Sequence, residues 1–108
     1  MPSSTARKTV DAALSEEDWQ QQIINYAKQR GWIVYHTRDS RRSTHGFPDL
    51  VLVRPPRVIF WECKTEDEKR SKPSPDQEVW IRKLKLCRQV YADFIRPHHW
   101  DDIEKALR

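Results

Sequence analysis

The chain has 108 residues, 37% hydrophobic and 33% charged, with a formal net charge of +4. That length suits one domain without a separate recognition module, and the basic balance suits a polyanionic partner without identifying one. No run approaches the roughly 20 apolar residues of a membrane-spanning helix.

The polar, basic start has no signal-peptide core, so a cytoplasmic protein is expected. Cys63 and Cys87 lack zinc-ligand spacing and are expected to be buried thiols in a reducing compartment. Five tryptophans must supply much of a modest core, and a dimer would help it.

Residues 1–14 are rich in Ser, Thr, Ala, Arg and Lys without a sustained apolar period, and read as a flexible tail. Arg7 and Lys8 there are solvated charges before they are phosphate contacts. Ser15 is an N-cap, followed by Glu16, Glu17 and Asp18 in a first turn whose dipole favours acids, with Leu14 and Trp19 placed as a hydrophobic staple. Trp19, Ile23 and Tyr26-Ala27 mark the apolar face, and Gly31 is a natural stop. Glu16 and Gln20, four apart, share one face; Glu16 is equally explained as a surface acid at the helix start.

Trp32-Ile33-Val34-Tyr35-His36 is the first strand. The loop after it contains no apolar residue, and its Arg38, Ser40, Arg41, Arg42, Ser43 and His45 are of the types that grip phosphate oxygens, although a charge run also suits a plain solvated loop. His36 and His45 have the chemistry of metal ligands or bases, but nothing in their spacing demands it. Leu50-Val51-Leu52-Val53 and Val58-Ile59-Phe60-Trp61 are strands around a Pro55-Pro56 turn. A symmetric turn sets Arg54 opposite Arg57 and therefore Asp49 opposite Glu62. Like charges across a ladder are unfavourable unless something positive lies between them, which suits a hard divalent cation. Alternation puts Glu62 and Lys64 on one face and the Cys63 side chain on the other.

Residues 65–72 mix acids and bases without an apolar residue, as in an exposed loop, and Lys69, Arg70 and Lys72 there are cations of the kind that flank a phosphate-binding groove. Ser74-Pro75-Asp76-Gln77 starts a second helix with a capping box, and Val79-Trp80, Leu84 and Cys87 follow at helical spacing. Residues 89–95 form a fourth strand. Trp100, Ile103 and Leu107 make a closing amphipathic helix. His98 and His99 read as a loop or cap. The order is α-β-β-β-α-β-α.

Pro48-Asp49 followed by Glu62-Cys63-Lys64 resembles the paired half-motifs of the PD-(D/E)xK nuclease superfamily. Together with Gly46-Phe47-Pro48-Asp49-Leu50, Ser74-Pro75-Asp76-Gln77 and the Glu16 to Gln20 spacing, they resemble the VRR-NUC family, found as small stand-alone proteins of phages and bacteria and at the end of larger Fanconi-associated repair nucleases. The resemblance implies an α/β fold, a mixed central β-sheet flanked by helices, with residues 15–108 as one nuclease domain. It implies Asp49, Glu62 and Lys64 as the catalytic set, with Glu16, Gln20 and Gln77 turned toward them. Asp49, Glu62, the backbone carbonyl of Cys63 and Glu16 are then the ligands of Mg²⁺, with Mn²⁺ as substitute. Lys64 acts either as base or, charged, as stabiliser.

The function implied is a metal-dependent endonuclease cutting DNA by structure. Branched substrates such as four-way (Holliday) junctions or flaps are expected, handled by a homodimer in the cytoplasm of a bacterium or phage-infected host, in a DNA-repair setting. Two alternatives stay open: a catalytically silent DNA-binding module that works through an unidentified protein partner, and a sequence-specific restriction-type endonuclease.

Overall fold

The computed structural model describes residues 4–37 and 44–108, with side chains from residue 8 onward. Ser15 accepts the Asp18 N–H at 3.0 Å and so starts helix α2 (Glu16–Gln29) as its sequence predicts. The helix ends at Arg30, where Gly31 takes φ +82°, a left-handed conformation that glycine adopts without penalty. Trp19, Ile23 and Ala27 are fully buried along its inner face.

Four strands make one sheet in the order β1 (Ile33–His36), β2 (Leu50–Arg54), β3 (Arg57–Cys63) and β4 (Val90–Ile95). The first two pairings are antiparallel and β3–β4 is parallel, so the chain needs a crossover, which helix α3 (Pro75–Lys85) supplies. Arg54 faces Arg57 across the Pro55-Pro56 turn, the register that the symmetric turn predicts, and Leu50 faces Trp61 at its far end. The two like charges at the turn find use elsewhere: Arg54 donates to the carbonyls of Arg30, Leu107 and Arg108, and Arg57 to that of Ala106 at 2.6 Å. They thereby satisfy the end of helix α4 (Trp100–Leu107), where unpaired carbonyls and a negative dipole collect.

The core lies between one sheet face and α2 with α4. Leu50, Leu52, Ile59 and Trp61 meet Ile23, Ile24, Ile103 and Leu107 there. The buried indoles keep hydrogen bonds: Trp19 Nε1 donates to the Ile95 carbonyl at 3.2 Å and Trp32 Nε1 to that of Leu107 at 2.9 Å. On the opposite face Phe47 stands edge-on to Phe60 and to Trp80 of α3.

Three expectations need correction. Residues 4–13, read as part of a flexible tail, form helix α1 (Ser4–Ala13), lying against a 3₁₀ turn at Pro97–His99. Its Ala, Arg and Lys content favours a helix, and Ala6, Val10 and Ala13, among its few apolar residues, recur at helical spacing. Cys87 is exposed, unlike the buried Cys63, because α3 ends at Lys85 before reaching it. The buried residue of α3 is Ile81, and Val79 is exposed, so the packing face is turned from the one that Val79 and Cys87 suggest. Among the described residues no helix is long and apolar enough to cross a membrane.

Candidate active site

Asp49 directly precedes β2 and Glu62 stands near the end of β3, so the hairpin register that pairs Leu50 with Trp61 carries the two acids to one end of the sheet. They are linked through the backbone: the Asp49 N–H donates to Glu62 Oε2 at 3.0 Å, and the Cys63 N–H donates to Asp49 Oδ2 at 2.9 Å. Each carboxylate is thus oriented by the neighbouring strand. Thr37 adds a third tie, with its N–H on the Asp49 carbonyl at 2.9 Å and its hydroxyl on the Pro48 carbonyl at 3.2 Å. Sequence spacing gave no sign of Thr37, because its position follows from the β1–β2 register.

Helix α2 brings Glu16 to the same place. One carboxylate oxygen from each of Glu16, Asp49 and Glu62 lies within 4.8 Å of the others. Lys64, only 7% exposed, sets Nζ 3.9 Å from Glu62 Oε1. Gln77, at N3 of α3, accepts the Ser74 N–H through Oε1 at 2.9 Å while its Nε2 donates to Glu62 Oε1 at 2.9 Å. One end of the amide thus caps α3 and the other end reaches Glu62.

A cleft of about 550 Å³ collects Glu16, Gln20, His36, Asp49, Glu62, Lys64 and Gln77. His36, which spacing left undecided, is on its wall. A second cleft of about 340 Å³ shares Asp49, Glu62 and Gln77 and is lined further by His45, Phe47 and Ser74. Gly46 stands between this cleft and α3, with φ +88°, and a Cβ there would fall 2.5 Å from the Asp76 carbonyl carbon. Lys69, Arg70 and Lys72 are exposed on the segment that follows Lys64, outside both clefts. Arg38, Ser40, Arg41, Arg42 and Ser43 lie outside the described residues.

Burial, reinforced by the Asp49 charge and its hydrogen bond, pushes Glu62 up to about 9. Burial and Asp49 also raise Glu16, with Lys64 opposing the shift. Cys63 is raised well above the thiol range by burial and the acids around it, an inert thiol rather than a nucleophile. Three converging carboxyl groups, with Glu62 and Glu16 raised by burial and by the Asp49 charge, fit a divalent cation: hard oxygen donors suit Mg²⁺ or Mn²⁺, and the cation's charge would relieve the repulsion that raises Glu62 and Glu16.

The model of the VRR-NUC domain family matches residues 3–92. A solved structure described as a VRR-NUC domain superposes with a TM-score of 0.53 at 24% identity, over 82% of this chain and 96% of the other, which supports a common fold. No curated protein matches the chain.

Proposed function

The chain belongs to the VRR-NUC family, a nuclease-type domain that cleaves DNA, and on that premise we propose that it is a divalent-metal-dependent endonuclease selective for branched DNA. The observation that carries this reading is the convergence of Glu16, Asp49 and Glu62 within 4.8 Å beside Lys64, at the end of the sheet.

Asp49, Glu62, Glu16 and the backbone carbonyl of Cys63 would hold Mg²⁺, with Mn²⁺ as substitute. A cation held there would supply charge neutralisation at the scissile phosphate and would acidify the attacking water. The chain's residues supply position. The Asp49 N–H and the Gln77 amide engage both Glu62 oxygens and so hold its carboxylate in one orientation. The Lys64 ammonium orients the attacking water and faces the negative charge that develops on the phosphate. Gln20 and Glu16 close the α2 side of the cleft.

Residues 15–108 constitute the nuclease unit in this reading. Exposed Lys69, Arg70 and Lys72, with His45 on the wall of the second cleft, would grip DNA phosphates, and Arg38, Ser40, Arg41, Arg42 and Ser43 are further candidates by residue type alone. A homodimer with two sites suits a two-fold substrate such as a four-way junction. The setting is cytoplasmic DNA repair or phage DNA processing.

The test is Mg²⁺-dependent cleavage of a labelled four-way junction and a matched linear duplex by wild type and Glu62→Ala. The expected result is junction cutting, lost in the variant. Binding without cutting of either substrate would replace this reading with the partner-dependent module. Discrete fragments from linear plasmid would point to a restriction-type enzyme.

A further inference from the structure

The segment leaving the site after Lys64 is tied into a closed loop, although its composition suggests nothing but exposed chain. Its neck is joined by the Thr65 N–H donating to Ser71 Oγ at 3.0 Å, and its turn by the Ser71 N–H on the Asp67 carbonyl at 2.8 Å. Asp67 Oδ1 accepts the N–H groups of both Lys69 and Arg70 at 3.1 Å. Half-buried Arg96, just beyond β4, closes the neck from outside: Nη1 donates to the Thr65 carbonyl and Nη2 to the Ser71 carbonyl at 3.0 Å. Glu66 adds a further pin, accepting the His98 N–H at 2.6 Å.

We propose that Arg96 is a positioning residue for the nucleic-acid substrate, clamping residues 65–71 into a preformed loop whose Lys69 and Arg70, with Lys72 beside the neck, grip backbone phosphates next to Lys64. The proposal rests on the nuclease reading and adds to it the residue that shapes the substrate grip. Arg96 is suited because a planar guanidinium spans two carbonyls at once, which a lysine ammonium does not do with fixed geometry. The clamp begins one residue after Lys64, whose own N–H is held by the Ile95 carbonyl at 2.8 Å, so β4 and Arg96 anchor the lysine and the loop together. Three exposed cations on a prefolded backbone lose less freedom on meeting a phosphate chain than the same cations on a loose one.

The experiment measures binding of a labelled duplex in EDTA, where cutting is suppressed, across a salt series. Wild type is compared with Arg96→Lys, Ser71→Ala and the combined Lys69→Ala, Arg70→Ala, Lys72→Ala variant, each checked for folding by its thermal melt. Each lost phosphate contact should reduce the magnitude of the slope of log K against log salt by about 0.9. The triple variant should lose about 2 to 3 in slope. Arg96→Lys, which keeps the charge but not the fork, should lose about 1 to 2, and Ser71→Ala should shift in the same direction. A role confined to stability would lower the melt and leave the slope of the folded protein unchanged.

Wild-type slopes in both folded Arg96→Lys and Ser71→Ala would overturn the proposal, and Ser71→Ala decides it alone where Arg96→Lys does not fold. Cleavage by wild type with Mg²⁺ is scored separately. Altered slopes with a wild type that never cuts would keep the clamp and remove the nuclease reading; a cutting enzyme with unchanged slopes would do the reverse.

Discussion

Gln77 Nε2 donates to Glu62 Oε1 at 2.9 Å while Gln77 Oε1 accepts the Ser74 N–H that begins α3, so one side chain couples the start of a helix to a buried carboxylate. The two ends separate by substitution. Gln77→Glu keeps an acceptor for Ser74 but replaces the donor on Glu62 with a negative charge. We expect its stability to stay within about 1 kcal/mol of wild type when metal is bound, and its Mg²⁺-dependent cleavage to fall by about 10- to 100-fold. Gln77→Ala should lose both, with about 1 kcal/mol of stability lost at the cap. Denaturant melts beside single-turnover rates make the comparison. Equal activity in Gln77→Glu and wild type would assign the residue to capping alone.

The hairpin was legible because Pro55-Pro56 leaves few ways to turn, and once Arg54 faces Arg57 the approach of Asp49 to Glu62 follows by counting. Ser15 and Ser74 were equally plain, since a cap is written in adjacent residues. What stayed hidden depends on contacts distant in sequence. Ile81 rather than Val79 faces inward because α3 packs chiefly against β4, a partner distant in sequence, and Thr37 reaches Pro48 and Asp49 only through the strand pairing. The ties of residues 65–71 depend on Arg96, which lies beyond an intervening helix and strand. Helix α1 escaped because Ala6, Val10 and Ala13, its apolar positions at helical spacing, are few and small, so that spacing is faint beside the charged and hydroxyl residues around them.

Gly46 should resist any side chain. Its φ is +88°, and a Cβ would sit 2.5 Å from backbone atoms of Asp76, which cannot rotate away. Gly46→Ala therefore has to move the chain that leads to Asp49 or the first turn of α3 that carries Gln77. A destabilisation of about 2 to 4 kcal/mol is expected from combined backbone strain and overpacking, with cleavage falling further than the population of folded protein explains. Urea unfolding and a rate per folded molecule would measure both. A neutral effect on each would mean that the contact yields freely.

The metal-free protein should become less stable as pH rises. Glu62 is moved from 4.5 to about 9 in the folded state, so the native protein holds a proton that the unfolded chain has already released. Its favourable contribution is complete below 4.5, where both states are protonated, and is lost as pH climbs toward 9. Glu16, raised in the same direction, adds to the slope. Melts in EDTA between these pH values should fall for wild type and flatten for Glu62→Gln. Mg²⁺ should reverse the trend, because bound cation favours the ionised carboxylates. A flat wild-type profile in EDTA would show that the acids ionise without strain.

Asp49→Asn should separate stability from function. The amide oxygen can still accept the Cys63 N–H now held by Asp49 Oδ2, so the strand geometry has no reason to change. Removing the charge relieves Glu62 and Glu16, both of which Asp49 raises. Near neutral pH in EDTA the variant should be more stable than wild type by about 1 kcal/mol, the scale of relief commonly found when a strained functional site is neutralised. It should also lose the stabilisation that Mg²⁺ gives wild type, and its cleavage, while retaining DNA binding. Thermal melts with and without Mg²⁺, beside binding and cleavage of one labelled junction, test all four effects. If Asp49→Asn proved less stable than wild type in EDTA, the hydrogen bond to Cys63 would outweigh the repulsion among the acids, and retained cleavage would remove Asp49 from the metal site.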